Sequence, residues 1–252
     1  MHPFNEIIRF DEIDSTNSYL KQLTREQLVA EGTVVIAEFQ SGGRGQQGNS
    51  WFSTKGDNLL FSLLIRPQHL LASEMFIISC ITSLAIQKTF SEFVDNICIK
   101  WPNDVYWNDK KIAGILIENN LQEGFVKSSV VGIGLNINEQ LFPSDLPNPI
   151  SLCQITNEKH DKTQILNIFL REFTTLYQQF ENGETAEIKK EYMRNLYRAD
   201  DYYWFEDENG KVEAKIVDIL PSGHLVLKTR AEEERKYAFK EVSFLIDDVC
   251  PI

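Results

Sequence analysis

The chain has 252 residues, 42% of them hydrophobic and 25% charged, and a net charge of −12. This length and balance describe a soluble globular protein with a substantial core, in one large domain or in a large and a small one. The acidic balance argues against a duplex-DNA surface, which needs a basic face, but leaves room for a local basic pocket.

Cys80, Cys98, Cys153 and Cys250 are far apart and form no Cys-x-x-Cys pair. Free thiols in a reducing compartment are therefore expected, with no cysteine metal site. The first residues show no basic segment followed by an apolar run, and no apolar stretch approaches roughly 18 residues. Neither a leader nor a membrane span is expected, and the localisation reads as cytoplasmic.

In chain order, Asp14-Ser15-Thr16-Asn17-Ser18 offers helix N-caps ahead of Tyr19, Leu20 and Leu23, so a helix is predicted over residues 16–31. Residues 33–39 and 58–65 are β-branched and apolar, which predicts two strands buried on both faces. Between them lies a loop with four glycines within Gly42–Gly48. Residues 73–93 read as a helix buried nearly all round, and residues 97–101 as a short strand. Residues 111–119 and 125–138 read as an antiparallel hairpin turning at Leu121-Gln122-Glu123-Gly124. A helical apolar stripe from Ile165 to Phe180 stops near Gly183, and a more polar helix covers residues 184–196. From Asp200 on, short strands with turns at Asp207-Glu208-Asn209-Gly210 and Pro221-Ser222-Gly223-His224 predict a small all-β unit.

Four segments are candidates for chemistry. A glycine-rich loop lets backbone N–H groups approach an anion, and Arg44 adds a planar donor fork for carboxylate or phosphate. Without a following Lys-Ser/Thr pair or helix, it is neither a Walker A loop nor a dinucleotide fingerprint. Trp51 offers a plane for a purine, or packs the loop. In Lys100-Trp101-Pro102-Asn103-Asp104 a cation and a carboxylate flank a proline turn, suited to a phosphate and to Mg2+, or form an incidental surface pair. Lys111 stands three residues before Gly114 at the mouth of a strand, aimed into a pocket or guarding an edge. Gly132 and Gly134 within a strand imply close approach by a ligand or another backbone, with Asn136 placed to read adenine or ribose. Together these suit activation of a carboxylic acid by ATP.

The set Asp14-Ser15-Thr16-Asn17, Glu38-Phe39-Gln40, Gly43-Arg44-Gly45, Trp51, Lys100–Asp104, Lys111–Glu118 and Gly132–Asn136 resembles the biotin–protein ligase family in order and spacing, over residues 13–138. The resemblance implies an α+β fold. Residues 1–198 would form a biotin–adenylate-forming catalytic domain with a mixed, class II synthetase-like β-sheet and helices. Residues 199–252 would form a small SH3-like β-barrel. It also implies the reaction: biotin and MgATP give biotinyl-5′-AMP, and biotin then passes to a lysine of a biotin carboxyl carrier protein.

By the same resemblance, Ser15, Thr16, Asn17 and Gln40 line the biotin pocket, with Gly114 and Gly132 in the substrate site. Gly43, Arg44, Gly45 and Gln46 belong to a lid over biotin and the adenylate. Lys111 contacts the biotin carboxylate and the attacked phosphate; Lys111, Arg44 and Lys100 would carry the catalysis. Lys100, Asn103 and Asp104 serve the phosphates and Mg2+, with Asp104 as metal ligand, and Trp51 and Asn136 frame the adenine. No tightly bound cofactor and no nucleic-acid partner are implied, and a homodimer stays open.

Three departures stand out. Gln46 replaces a second arginine common in the family's loop, and Asn49 replaces another basic residue. A charge-assisted hydrogen bond is worth about 1.5–3 kcal/mol, so weaker adenylate retention is expected. About a dozen residues precede the first motif, so a form without the N-terminal DNA-binding domain is expected. The alternatives are a lipoate–protein ligase and a non-catalytic biotin or nucleotide sensor.

Overall fold

The computed structural model describes Phe4 and residues 6–245. Cys250 lies outside the described residues. A seven-stranded sheet runs in the order β1-β2-β3-β7-β6-β5-β4. Its strands are β1 (Ile7–Phe10), β2 (Val34–Ala37), β3 (Leu59–Ile65), β4 (Ile97–Lys100), β5 (Asp104–Trp107), β6 (Lys110–Gln122) and β7 (Phe125–Leu135). β1 pairs with β2 in parallel and the other pairs are antiparallel, so the sheet is mixed.

Side chains alternate between the two faces of a strand, and the sequence uses that alternation to build two different surfaces. Val34 and Ile36 of β2, Phe61 and Leu63 of β3, Ile115 of β6 and Val131 and Ile133 of β7 join the main core. That face is covered by helices α2 (Phe76–Ser91) and α4 (Lys162–Glu181). On the opposite face Val35, Leu64 and Val130 meet Leu20 of α1 (Thr16–Glu26). Beyond α1 that face carries Ser62, Gly132 and Gly134 in place of apolar residues, which leaves a groove beside the helix.

Differences from the sequence reading have local causes. α1 stops at Glu26 rather than 31, because Gln27 is extended and Val29 turns back into the cluster under the helix. β4 ends at Lys100, one residue earlier than read, and residues 101–103 turn the chain, with a cis Trp101–Pro102 peptide, straight into an unanticipated strand, β5, whose Asp104 pairs with Lys100. β1 and the short helix α3 (Leu152–Thr156), which starts on a Ser151/Gln154 capping box, were not anticipated. The β6–β7 turn places Glu123 and Gly124 at φ 52° and 82°. Positive φ at both central residues suits a two-residue hairpin.

Helix α5 (Thr185–Arg194) leads to a second, five-stranded antiparallel sheet, ordered β11-β10-β9-β8-β12. Its strands are β8 (Tyr203–Asp207), β9 (Gly210–Ile219), β10 (Leu225–Thr229), β11 (Glu234–Tyr237) and β12 (Val242–Phe244). The apolar core runs from the first sheet into the second without a break, through Ile99, Trp101, Leu196, Phe205 and Ile216. The Trp101 Nε1–H donates to the Gly223 carbonyl at 2.9 Å. Gly223 faces Phe76, whose ring a Cβ there would meet at 2.7 Å. Among the described residues no helix is long and apolar enough to cross a membrane.

Candidate active site

A cleft of about 610 Å³ lies where α1, the glycine loop, strands β6 and β7 and the second sheet converge. Among the site residues read from sequence, Ser15, Thr16, Asn17, Gln40, Arg44, Gly45, Gln46, Trp51, Lys100, Asn103, Asp104, Lys111, Gly114 and Gly132 line it.

One end is built from hydroxyls and amides. Ser15 caps α1 and accepts from the Ser18 N–H at 3.4 Å. That cap aims the next two side chains into the groove. Gln40 Oε1 accepts from the Thr16 N–H at 2.7 Å and from its hydroxyl at 3.0 Å. Asn17 Nδ2 donates to the Leu116 carbonyl at 3.1 Å and to Glu118 Oε2 at 3.0 Å. The Ser62 hydroxyl, fully buried, lies 2.7 Å from Thr16 Oγ1 and 2.5 Å from Asn17 Oδ1. These groups satisfy one another, so the end is neutral and fixed before any ligand arrives.

The floor depends on missing Cβ atoms. A Cβ on Gly132 would sit 2.3 Å from Asn17 Oδ1. On Gly114 and Gly134 it would meet the Trp51 ring at 2.6 and 2.4 Å. The strand glycines thus admit two side chains, Asn17 and Trp51, rather than a second backbone. Trp51 lies along β6 and β7 with its Nε1 buried and without a protein partner.

The other end is charged. Opposite β5, Val105 pairs with Ala113 but Tyr106 with Lys111, so Ile112 is an extra residue. Such a bulge re-aims the side chains beside it. Ile112 joins the core, while Lys111 Nζ comes within 3.3 Å of where a Gly114 Cβ would stand. Lys111 Nζ then lies 2.7 Å from Asp104 Oδ1, in an ion pair without hydrogen-bond alignment, and 5.5 Å from the Trp51 ring. Lys100 Nζ donates to the Tyr106 hydroxyl at 3.0 Å and faces the Phe244 ring at 5.4 Å. Burial holds the Lys100 ammonium below its usual range, against the pull of Asp104. Asn103 Nδ2 donates to the Ile115 carbonyl at 2.8 Å, tying the hairpin turn to β6.

Two predicted residues sit elsewhere. Asn136 is buried off the cleft and gives its amide N–H bonds to the Lys111 and Ile150 carbonyls, at 3.3 and 3.1 Å. Those bonds fix the backbone that carries Lys111 and engage the amide nitrogen alone. Gly43 does not line the cleft either; its carbonyl accepts the Trp51 N–H at 2.9 Å. The glycine loop is itself a small hairpin in which Arg44 pairs with Ser50 and the Gly45 N–H donates to the Asn49 carbonyl at 2.6 Å.

Sequence reasoning missed Ser62, Tyr106, Glu118 and the residues from the second sheet. Ser62 carried a signal, being polar within an otherwise apolar strand. Phe239, Lys240, Val242, Ser243 and Phe244 complete the cleft wall, and nothing in their local sequence announces it. With Lys240, four cationic side chains and one carboxylate line the cleft, within a chain of net charge −12.

A mixed sheet holding a cleft with a neutral amide end, a cationic end and a glycine hairpin at its mouth suits a polar small molecule that carries or meets an anionic group. Residues 9–136 match the model of the Biotin/lipoate A/B protein ligase family, and the chain belongs to that family. It is 29% identical over 238 residues to the bifunctional ligase/repressor BirA of Bacillus subtilis, covering 92% of this chain and 72% of that one. It is 30% identical to the biotin–[acetyl-CoA-carboxylase] ligase of Mycobacterium tuberculosis, over 69% of this chain and 63% of the other. Among solved structures, the biotin protein ligase of Aquifex aeolicus in complex with biotin and ATP superposes with a TM-score of 0.79 at 27% identity, covering 95% of this chain and 98% of that one.

Proposed function

We propose that the chain is an ATP-dependent biotin–protein ligase that makes biotinyl-5′-AMP and passes biotin to a lysine of a biotin carboxyl carrier domain. The carrying observation is the two-ended cleft: a neutral hydrogen-bonding end suited to an uncharged ring system, joined to a cationic end suited to a carboxylate and phosphates. Thr16, Asn17 and Gln40 hold the biotin ring end over the Gly132 floor, and Trp51 covers the junction. The cytoplasm is the setting that fits these substrates.

In the first step a biotin carboxylate oxygen attacks the α-phosphorus of ATP, and pyrophosphate leaves with the electrons of the broken bond. Lys111 stands at the junction, where its ammonium meets the carboxylate and the attacked phosphate together. A preorganised cation there stabilises charge as it develops. Lys100 serves the phosphates from β4, and Arg44 closes the mouth. In the second step the carrier amine attacks the acyl carbon, AMP departs, and the amine proton passes to solvent. Positioning and electrostatics supply most of the rate, since no covalent enzyme intermediate is needed.

Magnesium fits this donor set in one way. Among the described residues there is no group of three His, Cys, Asp or Glu side chains suited to a metal. Asp104 is the one carboxylate in the lining. A lone carboxylate is what magnesium uses when phosphates and water fill the rest of its shell. Asp104 would hold the ion, which neutralises phosphate charge when bound.

The test is incubation of the chain with biotin, MgATP and a carrier domain, followed by an avidin blot. Label on the carrier is expected, and its absence overturns the reading. Pyrophosphate release with biotin against lipoate separates the two branches of the family, and faster release with biotin is expected.

A further inference from the structure

Glu118 lies just outside the cleft, yet three elements converge on it. It follows Leu116 on the groove face of β6. Its Oε1 accepts from Lys21 Nζ at 2.6 Å, on the second turn of α1. Its Oε2 accepts from Asn17 Nδ2 at 3.0 Å and from Arg44 Nη2 at 3.2 Å. The same Nη2 donates to Ser18 Oγ at 3.0 Å. Arg44 is the single charged residue between Ser41 and Ser50, so this is the one ionic tie available to the glycine hairpin. The hairpin holds its own shape through bonds across Arg44–Ser50 and rests on the body through the Gly42 N–H to the Asp14 carbonyl at 2.9 Å. Beyond these bonds, Arg44 reaches the body at Glu118 and Ser18.

We propose that Glu118 is the positioning residue of the glycine lid, holding Arg44 over the cleft and, through the same carboxylate oxygen, locking the Asn17 amide that faces the neutral end. The proposal rests on the reading of the loop as a lid over biotin and its adenylate. The arginine keeps further N–H donors for a ligand, since its fork carries five and Nη2 makes both contacts. With Gln46 where family members often carry a second arginine, the lid of this chain depends on one ionic tie. Glu118 thus couples lid position to the geometry of the amide end.

The test uses trypsin, which cuts after arginine, on the full chain. Cleavage of the Arg44–Gly45 bond, followed by mass spectrometry, reads lid tethering without any need for activity. In Glu118→Gln, which keeps an acceptor for Asn17 but removes the charge, this bond is cut about three- to five-fold faster at low salt. In ~1 M salt, where screening is nearly complete, wild type and variant converge. Ser18→Ala removes the other acceptor of Nη2 and gives a smaller acceleration at the same bond. With biotin and MgATP, Glu118→Gln raises KM for biotin while kcat stays within about two-fold, because the charged end is untouched. Equal cleavage of Arg44–Gly45 in wild type and Glu118→Gln at low salt overturns the proposal, as does acceleration spread evenly over all tryptic sites. If the wild type releases no pyrophosphate with biotin, the ligase reading fails instead, and the cleavage assay still judges the tether.

Discussion

The two ends of the cleft are built on opposite electrostatic terms. At the amide end Thr16, Asn17, Gln40 and Ser62 use their polar atoms on one another, and Ser62 is fully buried. At the charged end Lys100 and Lys111 are only partly matched, by Tyr106 and by a single carboxylate, Asp104. A satisfied neutral network selects by shape and costs little to keep empty. A partly matched cationic cluster is costly to desolvate and gains most when an anion arrives. One end is therefore finished by folding, and the other is finished by its ligand.

Substitutions sharpen that contrast, starting with the largest effect. Lys111→Ala removes the cation at the junction and lowers the rate of biotin-dependent pyrophosphate release by about 10²–10³-fold, near what one preorganised donor contributes. Biotin binding by calorimetry without ATP falls less, by about ten-fold, the share of the one contact to its carboxylate. Gly132→Ala drives a Cβ into a position 2.3 Å from Asn17 Oδ1. Overpacking of this kind costs about 1–3 kcal/mol, so biotin affinity falls roughly ten- to hundred-fold while KM for ATP holds. Equal losses for both substrates would merge the two ends into one unit. Lys240→Ala, in the turn between β11 and β12, raises KM for ATP several-fold and leaves biotin affinity alone; an unchanged KM removes Lys240 from the phosphate set. Ser62→Ala leaves Thr16 and Asn17 one partner short and costs about 1 kcal/mol, seen as a drop in Tm of about 2–4 °C.

The smallest effect is in pH. Burial alone would raise the Glu118 carboxyl, but hydrogen bonds from Lys21 and Asn17 and the charge of Arg44 outweigh it and hold it below the usual carboxylate range. A carboxyl whose folded value lies below its unfolded one stabilises fully above the unfolded value, about 4.3, and loses that contribution as pH falls through the folded one. The stability gap between wild type and Glu118→Gln is below about 1 kcal/mol at neutral pH for so solvent-screened a pair. Urea midpoints should show it closing in acid; a gap that widened there would contradict the tie.

Much of this was legible in order and spacing because the chemistry sits on strand ends and tight loops with strong local signals. The Ser15 cap, the glycine loop, the Lys100–Asp104 turn and Lys111 all come to one cleft. What failed was geometry that spacing cannot carry. β5 is four residues long and opens on Asp104, straight after Pro102-Asn103, so its start read as part of a turn. The bulge at Ile112 decides that Lys111 faces the groove, yet Lys-Lys-Ile-Ala-Gly looks the same with or without it. Glycines at period two announced a close approach without saying that Asn17 and Trp51 would make it.

The cleft wall brings Thr16 and Asn17 against a floor from residues 114–134 and a rim from residues 239–244. Contacts so distant in sequence form late, after long loops have closed. The apolar core beneath runs on from one sheet into the other. The site therefore has no local precursor: the walls that would contain a reactive mixed anhydride come together only when segments far apart in the chain have met.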